Sequence, residues 1–156
     1  MPRPNVSFYH QVTTTDKLLD EWRWLIGGLP TLVGWSSAAD LFVRSAEGKI
    51  AMIDSGAGVI NVVAESESEF QSQLRNPAKA AELLQLDVVE AFVRADGALP
   101  ADRCLGYRTL PALGGSYAVE NRYALSMAEH AAFTGDVHRQ IRDLPDGARV
   151  KIKIVP

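Results

Sequence analysis

The segment from Leu105 to Asn121, LGYRTLPALGGSYAVEN, is rich in residues that dictate backbone shape and poor in residues that carry out chemistry. Its glycines provide positive φ angles or close backbone approach, and Pro111 fixes one φ angle and removes a hydrogen-bond donor. The apolar side chains between them are suited to a core. We therefore interpret seven residues as a structural signature of one fold: Gly106, Tyr107, Pro111, Leu113, Gly114, Gly115 and Asn121.

Short β-branched runs separated by glycine turns precede this segment. They predict strands around Leu41 and Val43, at 50–53 and at 59–64, with turns at 46–48 and 54–58. Such runs are typical of an antiparallel meander, and three strands with one covered face can be stable. A further strand is predicted at 122–126, and the alternating VKIKIV at 150–155 predicts an edge strand.

Helical periodicity accounts for most of the remaining chain. Helices are predicted at 16–26, 66–74, 77–84, 87–95 and 127–143, and residues 1–15 are predicted to be an extended lead-in. We expect one α+β domain over residues 1–156, a mainly antiparallel meander sheet packed by helices on one side. Trp22 and Trp24 alternate, so both cannot face the core from one helix, and one of them is a candidate for an interaction surface.

Composition excludes several functions. The chain has 156 residues, 47% of them hydrophobic, and a net charge of −3. This acidity disfavours general binding to nucleic acid or anionic membranes. The chain shows no signal-peptide pattern and no apolar run of about 18 residues, which predicts a cytoplasmic protein without a membrane span. The lone cysteine, Cys104, is expected to be a buried structural residue.

Few residues could carry out chemistry. His130 and His138 lie eight residues apart on one side of the last predicted helix and could bind a metal, but we interpret them as surface or boundary histidines. His10, Asp54 and Ser55 could form a triad, yet no local motif supports it, and Asp54 fits a turn residue better. We therefore predict no catalytic residue, no cofactor and no metal, and the alternative is a small metal-dependent hydrolase.

Acidic residues form the one surface pattern of note. They are consistent with a solvated helix N-terminus, whose dipole favours carboxylates, or with a patch that docks on a basic partner such as a nuclease active site. The candidate partner-binding residues are Glu65, Glu67, Glu69, Asp87 and Glu90.

Three stretches together resemble a known family. They are ADLFVRSAEGKIAMIDSGAGVINVVAESESEFQSQL, the signature segment LGYRTLPALGGSYAVEN, and EHAAFTGDVHRQIRDLPDG. The match as a whole covers roughly residues 32–147, with consistent order and spacing. The pattern resembles the C-terminal domain of the type VI secretion immunity family, named for the protein that neutralises a secreted DNase effector. In overall style it is similar to the SUKH immunity superfamily.

The resemblance implies a non-catalytic protein that binds a cognate toxin, a nuclease effector, and blocks it by occlusion. It implies a structural role for the signature residues, and a partner interface elsewhere on the surface. A ligand-binding or scaffold module without a toxin partner is the alternative.

Overall fold

The structure is a computed structural model that describes residues 8–12 and 17–145. Its main sheet is a five-stranded antiparallel meander whose strands lie side by side in chain order. The strands are β1 (Tyr9–Gln11), β2 (Thr31–Ser36), β3 (Leu41–Arg44), β4 (Ile50–Asp54) and β5 (Val59–Ala64). The predicted meander and the α+β class are therefore confirmed, and two unpredicted strands extend the sheet.

Both additional strands carry little sequence signal. β1 is three residues long and lies inside the expected lead-in, yet it pairs with β2, so this part of the lead-in belongs to the sheet. β2 contains Gly34, and glycine weakens a strand pattern. The ring of Tyr9 packs across Gly34, where any Cβ would collide with it, and the Tyr9 hydroxyl donates to the Val33 carbonyl at 3.2 Å. Glycine in β2 therefore makes room for the strand that pairs with it.

Three helices follow β5 as predicted: α2 (Glu67–Arg75), α3 (Pro77–Leu83) and α4 (Leu86–Asp96). The Ser66 hydroxyl caps α2, and the Asn76 side chain caps α3 just before Pro77, as these residue types favour. A second antiparallel pair, β6 (Arg103–Tyr107) and β7 (Arg122–Ser126), leads into the long helix α5 (Met127–Ile141). β6 was not predicted, and Cys104 within it is buried.

Helices cover both faces of the main sheet, so the prediction of one-sided packing is wrong. Because side chains alternate along a strand, Leu41 and Val43 point to one face and Phe42 to the other. The first face packs against α5 and the segment before β2, and the second packs against Phe70 of α2. β3 and β4 are apolar at consecutive positions, which requires cover on both sides.

The helical segment before β2 also differs from the prediction of one helix at 16–26. It is a 3-10 helix, Lys17–Trp22, followed by the single α-turn α1 (Arg23–Ile26). Trp22 is buried and donates to the Ala131 carbonyl, and half-buried Trp24 donates to the Gly135 carbonyl, each at 3.0 Å. The change of helix type alters the rotation per residue, so both indoles reach α5.

The predicted edge strand at 150–155 lies outside the described residues. Within the described ranges, no helix has both the length and the apolar character that crossing a membrane requires.

Candidate functional site

A buried polar cluster lies where the turn between β4 and β5 meets α5. At its centre Ser55 is fully buried, and its hydroxyl donates to the Ala39 carbonyl at 2.7 Å. The Nε2 atom of His130 lies 2.8 Å from the Ser55 hydroxyl oxygen. This nitrogen must donate, because the serine proton is already used in the bond to Ala39. The Nε2 atom of His138 donates to the Ser55 carbonyl at 2.7 Å. Two histidines of one helix therefore hold the side chain and the main chain of one turn residue.

The interpretation of these histidines as surface or boundary residues is wrong. His130 is 2% exposed and His138 is 3% exposed. Burial lowers the pKa of His130 to about 3, helped by the nearby Arg122 charge, and burial also lowers the pKa of His138 against an opposing hydrogen bond to Ser55. Both rings are therefore neutral donors at neutral pH.

The Nε2 atoms of the two histidines are committed to Ser55 rather than to a shared metal. Across residues 8–12 and 17–145, no group of three or more histidine, cysteine or acidic side chains could hold a metal ion. The eight-residue spacing therefore reflects two contacts with one turn.

The hypothetical triad is not assembled. His10 stacks on Trp35 at 3.9 Å between ring centroids, and its Nε2 atom lies 2.9 Å from the Ser37 hydroxyl. Ser55 instead contacts His130, but it is fully buried and a substrate has no access to it. This serine–histidine contact therefore holds structure together.

Asp54 organises the turn, as its position suggested. Its Oδ1 atom accepts from the main-chain nitrogens of Gly56 at 2.9 Å and Ala57 at 3.1 Å. Its Oδ2 atom accepts from the Tyr117 hydroxyl at 2.9 Å, which links the turn to the signature segment. The carboxylate is half-buried, and one of its oxygens binds the turn while the other binds the signature segment.

Asp40 is a buried acid that the sequence analysis missed. It is 1% exposed and accepts from the main-chain nitrogen of Ser55 and the side chain of Gln85, each at 3.2 Å. Burial and then the charge of Asp54 raise its pKa to about 7, against the lowering effect of these hydrogen bonds and of Arg122. An aspartate before a strand resembles an ordinary turn residue, so no sequence signal marks it.

Arg122 is a second buried charge without a sequence signal. It is 2% exposed, and its Nη2 atom donates to the Ala38 carbonyl at 2.7 Å. Its guanidinium lies 4.0 Å from the centroid of the Tyr107 ring, a cation–π contact. Among the described residues, its Nε and Nη1 atoms and the Tyr107 hydroxyl have no hydrogen-bond partner.

Three signature residues shape the loop between β6 and β7. At Gly115 any Cβ would collide with the Thr109 carbonyl, and Gly114 has φ of +99°, which favours glycine. The Asn121 side chain donates to the carbonyls of Thr109 at 2.7 Å and Ser116 at 2.6 Å. These contacts close the loop on itself.

The other signature residues join this loop to the core. A Cβ on Gly106 would lie 2.5 Å from the Leu125 side chain and 3.1 Å from Nδ1 of His130. Leu113 packs on the cluster that contains Tyr107, and Pro111 packs on the turn between β4 and β5. Each contact is made inside the fold.

The three glutamates at the start of α2 are exposed and have local partners. Glu67 lies 3.0 Å from Arg44, and Glu65 lies 3.5 Å from Lys49. The Glu69 carboxylate accepts from the main-chain nitrogen of Glu65 at 3.2 Å. Exposed ion pairs contribute about 0–1 kcal/mol, so a partner's cation could replace these contacts at little cost.

Asp87 and Glu90 are exposed on α4, away from that group. Gln85, just before α4, contacts Asp40 at the start of β3, whereas the glutamates gather at Arg44 at the other end of this strand. At roughly 3.3 Å per residue the two ends are about 13 Å apart. The five acidic residues therefore form two groups.

Residues 64–138 match the family described as T6SS immunity protein Tdi1, C-terminal. The match includes the five acidic residues, the signature residues and both buried histidines. A search of the curated proteins gave no match. Among solved structures, the crystal structure of Atu4351 from Agrobacterium tumefaciens is similar, with a TM-score of 0.60 and 13% identity over 85% of this chain and 68% of that chain. At this identity the similarity shows the fold alone.

Proposed function

We propose that the chain neutralises a cognate nuclease toxin by binding and occluding it in the cytoplasm, since residues 64–138 match the type VI secretion immunity family. The family match carries this proposal. Proteins of such a family are generally not enzymes, and the fully buried Ser55 offers no accessible nucleophile. Binding is therefore the activity that the chain is best suited to perform.

The proposed contact surface consists of the acidic residues at the start of α2, with Glu65 just before it, and on α4. A nuclease must attract phosphate, so its active-site cleft carries positive charge, and an acidic surface would steer encounter with it. The contact residues proposed are Glu65, Glu67, Glu69, Asp87 and Glu90.

Co-expression tests the function directly. The chain is produced in cells together with a secreted toxin encoded beside it, and survival is scored, with an unrelated immunity protein as control. We expect survival only with this chain, and binding of an inactive toxin to the purified protein. Death of the cells despite abundant folded protein would reject the proposed function.

Charge neutralisation tests the surface. The triple variant Glu65→Gln, Glu67→Gln and Glu69→Gln removes three charges and keeps side chains that can cap a helix. We expect toxin affinity to fall about tenfold, which is about 1.4 kcal/mol, mainly through slower association. Asp20→Asn, an exposed change on the opposite face of the sheet, is the matched control. Equal affinities at low salt for both variants would reject this surface.

A further inference from the structure

Two loops join into one surface at the end of β4. We call the turn 54–58 and the loop 110–117 together the loop platform. The main-chain nitrogen of Ala112 donates to the Gly56 carbonyl at 3.0 Å, and the Tyr117 hydroxyl donates to Asp54 at 2.9 Å. Pro111 packs so closely on Gly56 that a Cβ there would lie 2.8 Å from its ring.

The buried cluster holds this surface in one shape. Ser55, inside the turn, is fixed by His130 through its hydroxyl and by His138 through its carbonyl. Asp40 fixes the main-chain nitrogen of the same residue. A surface that is already ordered before binding loses little conformational entropy when a partner docks.

The chemistry of the loop platform favours a cation. The Asp54 carboxylate is half-buried and, within the described chain, forms no ion pair. The Tyr117 ring beside it is 38% exposed, and it meets the Tyr107 ring edge-on at 5.8 Å. The Arg122 guanidinium also lies under this surface, where it is held against the Tyr107 ring and donates to the Ala38 carbonyl.

An unused acceptor lies under the same surface. Tyr107 is 7% exposed, and no residue in the described ranges forms a hydrogen bond with its hydroxyl. The ring carbon that bears this hydroxyl would lie 3.0 Å from a Cβ on Gly56, so the hydroxyl end lies directly beneath the turn. A buried hydroxyl without a partner is unfavourable, and because it lies beneath the turn it is not part of the exposed surface.

We propose that the loop platform receives a lysine or arginine side chain of the toxin, which pairs with Asp54 and packs on the Tyr117 ring. The proposal rests on the proposed function and places a second contact apart from the acidic residues of α2 and α4. A carboxylate beside an aromatic face is a combination that binds ammonium and guanidinium groups.

Two substitutions test this contact against an inactive form of the toxin encoded beside the chain. Asp54→Asn removes the charge but keeps an oxygen that can accept from the main chain of the turn, so the turn is retained. Tyr117→Ala removes the ring, and Tyr117→Phe is its matched control. Affinity is measured at low and high salt, and the free energy of unfolding is measured for each variant.

We expect Asp54→Asn to weaken toxin binding at least tenfold at low salt, with a smaller loss at high salt and no loss of folding stability. Tyr117→Ala should weaken binding by a similar factor, and Tyr117→Phe by much less. If the wild-type chain binds the toxin and neither Asp54→Asn nor Tyr117→Ala weakens binding, this inference is overturned and the proposed function stands. If the wild-type chain does not bind the toxin, the proposed function fails, and this inference fails with it.

Discussion

Replacing His130 with glutamine should remove the loss of folding stability at low pH that this histidine causes. Burial lowers the pKa of His130 from 6.5 to about 3 in the folded protein. Between these values the unfolded chain binds more protons than the folded one, so the contribution of His130 to stability is constant above pH 6.5 and falls as the pH falls below it. His130→Gln keeps a donor for Ser55 but cannot take up a proton.

The size of the effect follows from the two pKa values. A pH of 4.5 is two units below the pKa of His130 in the unfolded chain, whereas the His130 ring of the folded protein is still neutral at this pH. At 1.36 kcal/mol per unit, the wild-type chain therefore loses about 2.7 kcal/mol from this residue between pH 7.5 and pH 4.5. Other groups, including Asp40, titrate in both proteins, so comparing the two losses isolates His130.

Urea unfolding followed by tryptophan fluorescence gives the free energy of unfolding at both pH values. We expect the wild-type loss to exceed the His130→Gln loss by roughly 2–3 kcal/mol. Equal losses in the two proteins would refute the reasoning, because they would mean that His130 can be protonated in the folded state as easily as in the unfolded chain.

Three further substitutions test two close contacts and the buried acid Asp40, each by urea unfolding. Gly115→Ala should destabilise by about 3 kcal/mol or more, because its Cβ would collide with the rigid Thr109 carbonyl. Gly135→Ala, which in an exposed helix would stabilise by about 1 kcal/mol, should instead destabilise by about 1–3 kcal/mol, since its Cβ would lie 2.7 Å from the Glu21 carbonyl oxygen. Asp40→Asn should gain about 2.5 kcal/mol relative to wild type from pH 5 to pH 8, because burial raises the pKa of Asp40 from 3.8 to about 7 and wild-type stability falls as the pH rises through that window.

Gly28→Ala is the control for both glycine changes, since a Cβ there would lie within 4 Å of no atom of the described residues. A Gly115→Ala protein as stable as this control would contradict the role assigned to the loop. Stabilisation by Gly135→Ala would show that α5 and the 3-10 helix can separate freely. For Asp40→Asn, a stability difference from wild type that does not change with pH would contradict the raised pKa.

Local patterns were enough to predict much of the fold. Strands β3, β4 and β5 are short apolar runs between turn residues, and the caps Ser66 and Asn76 act on main-chain atoms two or three residues away. Such signals involve only residues that are close in sequence, so they can be recognised from the sequence alone. β1 was not predicted because it is too short to show a pattern. β2 was not predicted because Gly34 interrupts its apolar pattern.

The candidate sites depended on long-range packing. Ser55 meets His130 and His138 across 75 and 83 residues of chain, and no spacing within either segment records that meeting. The same limit hid the burial of Asp40 and Arg122, since a charged residue looks solvated until the elements around it are placed.

The sequence by itself determined the meander, the helix boundaries near their caps, the residues that shape the backbone of the 105–121 segment and the family resemblance. Tertiary structure alone decided that helices cover both faces of the sheet, that the two histidines of α5 are buried donors, and that the acidic residues divide into two groups. The physical reason is that propensity and capping act between near neighbours, whereas burial, pKa and surface assembly depend on which distant elements pack together.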